Sequence, residues 1–439
     1  MIVLGLSVSV VILAALFFMA RKKVGFGVRV FTAMAGGALV GILFKEFAPN
    51  AAILGQIFLN LIRMLVIPLV FSSIITSLSS VESLGKLRKI GFKTVALFLA
   101  TTAAATVIGI VSARIFDVGR GLAFAADASF QPREIPPFTQ VLLDFIPSNP
   151  IAQAADGRLI PLIVFAFIIG IAIVVEREKH AEAVEPVRNF FAGFTRIMFR
   201  ITRFVLRFTP YGVFGLIASV AARYGAESLL PLWSVILAVY AGLAFHAVAV
   251  YGGLLTFWAR VNPIRFFRKS LPAQVVAFST RSSYGTLPIT LRTVKERLGV
   301  SERIANFAAP LGASIHFDGC GGVYPAVVAI FVARLFGIEL TAVQYLLLVF
   351  TTVVSSFGIA GVPGPASIAT TVVLTTLGLP LEGFALVLGI DALLDMGRTW
   401  LNVTGDMVVA VTVAQSEGEL DRAVLESAEE TPIGFESPA

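Results

Sequence analysis

The sequence predicts an all-α polytopic membrane protein, and three observations carry that prediction. Of 439 residues, 57% are hydrophobic and only 14% charged, against about 25% charged in an average soluble domain. Long apolar runs cover residues 1–20, 95–110, 159–175, 229–257 and 346–354, several of them near the ~20 helical residues that cross a ~30 Å hydrocarbon core. Basic clusters punctuate the runs: Arg21–Lys23 with Arg29, residues 86–93, Arg177 to Lys179 with Arg188, and residues 260–269. Lys and Arg collect in cytoplasmic loops, so these clusters mark one side of the bilayer.

Each predicted element follows from that alternation. Helices are expected near 2–20, 28–48, 51–80, 91–116, 158–176, 188–220 and 229–258. The first carries its charges after its apolar run, the reverse of a secretory signal, so it reads as a retained helix with its N-terminus outside. Residues 117–157, with five prolines and several acids, fall outside. The tail 415–439 is acidic and poor in apolar residues, and reads as a solvated cytoplasmic end. The net charge of +7 is accounted for by loop Lys/Arg, which removes the argument for a nucleic-acid partner. The single cysteine, Cys320, excludes a disulfide framework and a multi-cysteine metal site.

Past residue 260 the pattern changes. Residues 277–288, AFSTRSSYGTLP, and 353–366, VVSSFGIAGVPGPA, hold too much Ser, Gly and Pro for plain spans. Both contain Ser-Ser-aromatic-Gly, a weak internal repeat. Broken backbone at membrane depth must be buried in protein or line a cavity, because lipid cannot hydrogen-bond it. Paired interrupted segments therefore point to a transporter binding site; the plainer reading of either alone is a kink or a surface loop.

Two further stretches are polar. Asp391, Asp395, Arg398, Asn402 and Asp406 recur at helical spacing, on one face. A charge at the bilayer centre costs at least about 2.5 kcal/mol, so such a stripe needs a purpose. Arg398 is a fork donor suited to a carboxylate, and Asp395 suits an ammonium group; together they can read both ends of an amino acid, or simply pair with each other. In 312–324, GASIHFDGCGGVY, Asp318 amid glycines suits a hard cation or caps a broken helix. His316 is a proton-linked switch or a structural donor. Cys320, beside Asp318, is a pocket candidate or a packing residue. His246 and His180 show no comparable context. No P-loop, GxSxG or HExxH motif is present, so no enzyme chemistry or cofactor is expected.

At RSSYGTLP, GIAGVPG and DMGRTWLNVTGD the sequence resembles the dicarboxylate/amino acid:cation symporters, which include the glutamate and aspartate transporters. The resemblance runs from about Val24 to Gln415. It implies inverted repeats with two re-entrant helical hairpins, tips at 281–288 inside and 356–366 outside, and an elevator-type carrier that assembles as a homotrimer. The implied organisation is an extra N-terminal helix (1–23), scaffold helices with part of the transport domain (24–258), a transport core (259–414) and the acidic tail (415–439). Nine crossings are expected, with the C-terminus inside. The extra helix followed by VGFGVRVFTA, FIPSNP at 145–150 and GCGGVYP at 319–325 resemble the cystine-uptake branch. L-cystine is thus the expected substrate, with acidic amino acids and C4-dicarboxylates behind it.

By position, the resemblance implies that Ser283 and the backbone of Arg281 and Val362 line the substrate pocket. Asp395 holds the α-amino group and Arg398 the far carboxylate, with Thr399 and Asn402 near the α-carboxylate. It implies one sodium site from the carbonyls of Gly312, His316 and Asn402 with the Asp406 carboxylate. Carbonyls around Ser314, Ser356, Phe357 and Ile359 imply a second, and Thr101, Thr102, Asp318 and residue 316 a third. The sequence departs from the glutamate-type pattern, which has Thr at 320, Asn at 316, Met at 317 and Thr at 359; Pro365 is also unusual. Sodium is the expected coupling ion and the proton its alternative, because an imidazole replaces an amide oxygen at the third site.

Overall fold

A computed structural model describes residues 2–79, 90–120, 146–156, 159–225, 231–357, 359, 364 and 366–427. Regular structure there is helical, apart from one antiparallel bridge between Val300 and Leu420. The first half comprises α1 (Ile2–Arg21), α2 (Phe26–Leu43), α3 (Ala48–Ser79), α4 (Phe92–Ile115), the short α5 (Pro150–Ala155), α6 (Leu159–Arg177), α7 (Ala181–Arg207), α8 (Thr209–Tyr224) and α9 (Pro231–His246). Two π-helical turns, Ala247–Tyr251 and Leu254–Trp258, extend α9.

Among the described residues four helical spans are long and apolar enough to cross a membrane: Ile2–Arg21, Phe92–Ile115, Leu232–Trp258 and Glu302–Leu335. The pair Ala181–Val205 and Thr209–Ala222 adds a fifth if taken together, bent by 51°. This corrects the single helix expected over 188–220. Pro210 has no N–H and its ring crowds the carbonyl one turn back, so the chain bends at Phe208.

Small residues set the packing of α2, α3 and α8. Gly41 of α2 lies directly under the Ala218 carbonyl of α8, where any Cβ would collide. Such close approach drives helix association in lipid, where the hydrophobic effect between helices is absent. α1 packs on α2 and leaves Val3, Val11 and Phe18 exposed, as expected of a helix that faces lipid.

The second half builds the interior. α10 (Pro263–Thr280) starts at an Asn262 cap that accepts from Ile264 N at 2.9 Å, with Pro263 in its first turn. It ends at Arg281, whose φ of 55° is left-handed. Ser282 then caps α11 (Ser283–Arg292), accepting from Gly285 N at 2.9 Å. The polar stretch 277–288 is therefore a helix–turn–helix with Arg281 and Ser282 at its tip, α11 packed on α10. α12 (Glu302–Ile315) breaks at His316 and Phe317, passes through a π-helical turn, Asp318–Val323, and resumes as α13 (Tyr324–Leu335). α14 (Ala342–Ser356) opens with a capping box of Thr341 and Gln344. α15 (Ala366–Thr376) and α16 (Leu381–Leu388) follow. The tip of the second polar stretch lies outside the described residues, except for Phe357, Ile359 and Gly364.

α17 (Asp391–Glu417) is the axis of this half. It packs on α10, α12 and the Asp318–Val323 turn, and nearly every side chain from Leu394 to Ala414 is buried. Its far end is tied down: Ser301 Oγ donates to Glu419 at 2.5 Å, Arg303 also pairs with Glu419, and Lys93 pairs with Glu417. α18 (Arg422–Glu426) ends the described chain.

Candidate functional site

Two buried polar clusters meet along α17. The first surrounds Arg398, which is fully buried. One nitrogen, Nη2, lies 2.9 Å from Asp391 Oδ1 and 3.0 Å from Asp395 Oδ1. The guanidinium stands 3.9 Å from the centroid of the Tyr324 ring, a cation–π contact. Among the described residues Nε and Nη1 have no hydrogen-bond partner. Buried donors are nearly always satisfied, so a guanidinium with unpaired donors at Nε and at Nη1, on its two different edges, is open to a carboxylate. The internal Asp395–Arg398 pair expected as the alternative is present, yet it engages only one nitrogen of the guanidinium, Nη2. Asp391 shares that nitrogen.

The residues expected around this pocket converge in part. Cys320 Sγ lies 4.0 Å from Asp395 Oδ1. Asn402 Oδ1 accepts from the backbone of Gly319 at 2.8 Å and Cys320 at 3.4 Å, which fastens the broken helix to α17. Thr399 is buried beside Arg398, and Ser283 is buried in the first turn of α11. Arg281 stands at the tip before it. Val362 lies outside the described residues.

The second cluster is centred on Asp318. Its Oδ1 accepts from Thr102 Oγ1 at 2.7 Å and lies 3.3 Å from Thr101 Oγ1 and 3.1 Å from His316 Nε2. Its Oδ2 accepts from Tyr251 at 2.7 Å and lies 3.0 Å from His246 Nε2. The other ring nitrogen of His316, Nδ1, is 2.9 Å from Asp406 Oδ1. Phe98 stacks on the imidazole at 4.2 Å. His316 thus bridges two carboxylates inside the protein. It donates to both only as an imidazolium; as a neutral ring it donates to one, and Nε2 can accept from Thr101, 2.9 Å away. Gly405 permits this crowding: a Cβ there would strike the Tyr251 hydroxyl and the His316 ring.

Gly312 lies against the Asp406 carboxylate. Ser314 donates to the Pro310 carbonyl at 2.9 Å and accepts from Tyr284 at 3.2 Å. Ser356 Oγ reaches the Ile315 carbonyl at 3.3 Å, and Phe357 and Ile359 are buried beside it. The flank of the second polar stretch is thereby brought to the break in α12.

His246 and Tyr251 were not singled out from the sequence. The available signal was His246 itself, an ionisable residue inside the apolar run 229–257, since such residues are costly within a membrane. The π-helical turn after His246 places it and Tyr251 on the same carboxylate oxygen.

Apolar spans around an interior of matched charges and broken helices define an integral membrane transporter, not an enzyme. The family model described as "Sodium:dicarboxylate symporter family" matches residues 26–416. The chain belongs to that family. It is 34% identical over 444 residues, 95% of each chain, to the L-cystine uptake protein TcyP of Bacillus cereus. It is 35% identical to an uncharacterized symporter of Haemophilus influenzae, covering 93% of this chain and 98% of the other. It is 34% identical to the proton/sodium-glutamate symport protein of Bacillus caldotenax, covering 91% and 96%.

Proposed function

We propose that this transporter imports L-cystine, driven by a cation gradient. The observation that carries the reading is the buried Arg398 guanidinium, held at Nη2 by Asp391 and Asp395, with Nε and Nη1 unpartnered among the described residues and Cys320 against Asp395. Cystine has a carboxylate and an ammonium group at each end. Arg398 takes one carboxylate and Asp395 an ammonium, while Thr399 and Asn402 attend the other carboxylate. Ser283 and the backbone of Arg281 and Val362 complete the pocket. Likeness to a protein named for L-cystine uptake supports this choice. Asp395 argues against a plain dicarboxylate, because a carboxylate repels a substrate with no ammonium group.

In this reading 1–23 is an accessory helix, 24–258 supplies the trimeric scaffold with part of the transport domain, and 259–414 is the core that carries substrate across. The tips at 281–288 and 356–366 belong to re-entrant hairpins that gate it from opposite sides, and 415–439 stays inside. Sodium couples through the Asp406 carboxylate with the Gly312, His316 and Asn402 carbonyls, and through carbonyls near Ser314, Ser356, Phe357 and Ile359; hard oxygen ligands suit it. The third position, by Thr101, Thr102 and Asp318, is filled by the His316 ring. This specific observation favours a second reading for that position: a proton on His316 in place of an ion.

The test is uptake of labelled cystine into proteoliposomes with competitors and imposed ion gradients. Cystine and its close analogues should compete best, and uptake should need sodium. Stronger competition by glutamate or aspartate would overturn the substrate. Full uptake in sodium-free buffer under a proton gradient would overturn sodium coupling.

A further inference from the structure

α7 is unlike the other helices. Arg196, Arg200, Arg203 and Arg207 lie on one exposed stripe at helical spacing. Phe190, Ile197 and Phe204 form a second exposed stripe about a quarter-turn away, at 63%, 57% and 54% exposure. The opposite face is the packed one. Thr195 is hydrogen-bonded to Thr76 of α3 at 2.9 Å, Phe191 contacts the Phe71 ring, and Met198, Thr202 and Val205 are buried. None of the four arginines has an acidic partner among the described residues; Arg207 rests 6.0 Å over the Phe204 ring. Closer to the start of α7, Glu185 is already held by Arg177 and Arg188.

An apolar stripe beside a cationic one is the shape of a helix lying in a membrane interface, rings towards the acyl chains and guanidinium groups at headgroup level. The bend at Phe208 allows it, because α8 turns away by 51° and packs on α2 and α3. The basic clusters assign the start of α7 to the cytoplasmic side, and that leaflet carries the anionic lipid. A guanidinium fork binds phosphate through paired N–H groups. Charge complementarity therefore selects the occupant.

We propose that Arg196, Arg200, Arg203 and Arg207 form a binding surface for anionic phospholipid headgroups, seated by Phe190, Ile197 and Phe204, which anchors α3 and α6 to the cytoplasmic leaflet. The leaflet rests on the orientation given above; the headgroup chemistry does not.

The test uses the full chain in a neutral detergent and reads thermal unfolding, not transport, so it stands apart from the substrate reading. Phosphatidylglycerol should raise the unfolding midpoint; phosphatidylcholine or inorganic phosphate at equal concentration should not. The rise should shrink in high salt, because exposed charges are screened. It should halve in Arg196→Gln/Arg200→Gln and in Arg203→Gln/Arg207→Gln, and vanish in the quadruple variant. The paired variants keep the test decisive if the quadruple variant does not fold. An undiminished rise in both pairs would overturn the proposal, as would an equal rise with inorganic phosphate. Dissociation of an oligomer in the paired variants, with the lipid effect intact, would assign the stripe to a second copy of this chain instead.

Discussion

Replacing Arg398 tests the core of the substrate reading. Nη2 is held by Asp391 and Asp395 at 2.9 and 3.0 Å, while Nε and Nη1 are buried and have no partner among the described residues. A bound carboxylate supplies an acceptor for one of them. Arg398→Ala removes that partner and leaves two carboxylates without their cation. Truncating one member of a buried charge pair costs about 2–5 kcal/mol, which is roughly 30- to 4,000-fold in affinity at 1.4 kcal/mol per decade. Arg398→Lys separates charge from geometry. It keeps a cation for Asp391 and Asp395 but offers no planar fork, so the fold should survive while binding falls. The assay is equilibrium binding of labelled cystine to purified protein, with thermal unfolding measured alongside. The expected result is near-native unfolding for Arg398→Lys with affinity at least tenfold lower. Affinity within about threefold of wild type in a folded Arg398→Lys protein would refute the fork as the carboxylate site.

Three other outcomes are expected. Alkylation of Cys320, the single thiol, should slow when cystine is bound; an unchanged rate returns the side chain to a packing role. Uptake should vary with pH, and the profile should flatten in His316→Asn; an identical profile in that variant removes the ring from coupling. Reporters fused to the two ends should place the N-terminus outside and the C-terminus inside, and opposite placements overturn the orientation.

The sequence made the second half more legible than the first. The stripe Asp391, Asp395, Arg398, Asn402 and Asp406 was readable because helical periodicity alone puts those residues on one face, and the structure gathers them on α17. The turn at Arg281 and Ser282 was legible because Ser and Gly amid apolar residues announce a break. The bend at Phe208 is not legible in the same way: Pro210 lies inside one stretch, 188–220, that reads as a single helix, and local spacing does not set the arginine stripe of α7 apart as a separate helix. His246 escaped for a different reason. Its partner Asp318 lies 72 positions along the chain, and no local spacing reports such a contact. Nor could residue 316 alone reveal that its imidazole would span Asp318 and Asp406, since that depends on how α4, the broken helix and α17 meet.

Asn402 has a consequence for energetics. Its side-chain oxygen holds the amides of Gly319 and Cys320, the backbone joining Asp318 to the pocket wall. It stands one turn from both Arg398 and Asp406 on the same rigid helix. A ligand that shifts either end of this stretch must strain or relieve the same two hydrogen bonds. On the proposed function, with substrate at Arg398 and a cation at Asp406, the two binding equilibria are tied by one shared free energy, and thermodynamic reciprocity fixes its sign in both directions. Whatever factor the cation adds to substrate affinity, the substrate returns to the cation. In Asn402→Ala the two isotherms should become independent, each ligand binding as though the other were absent.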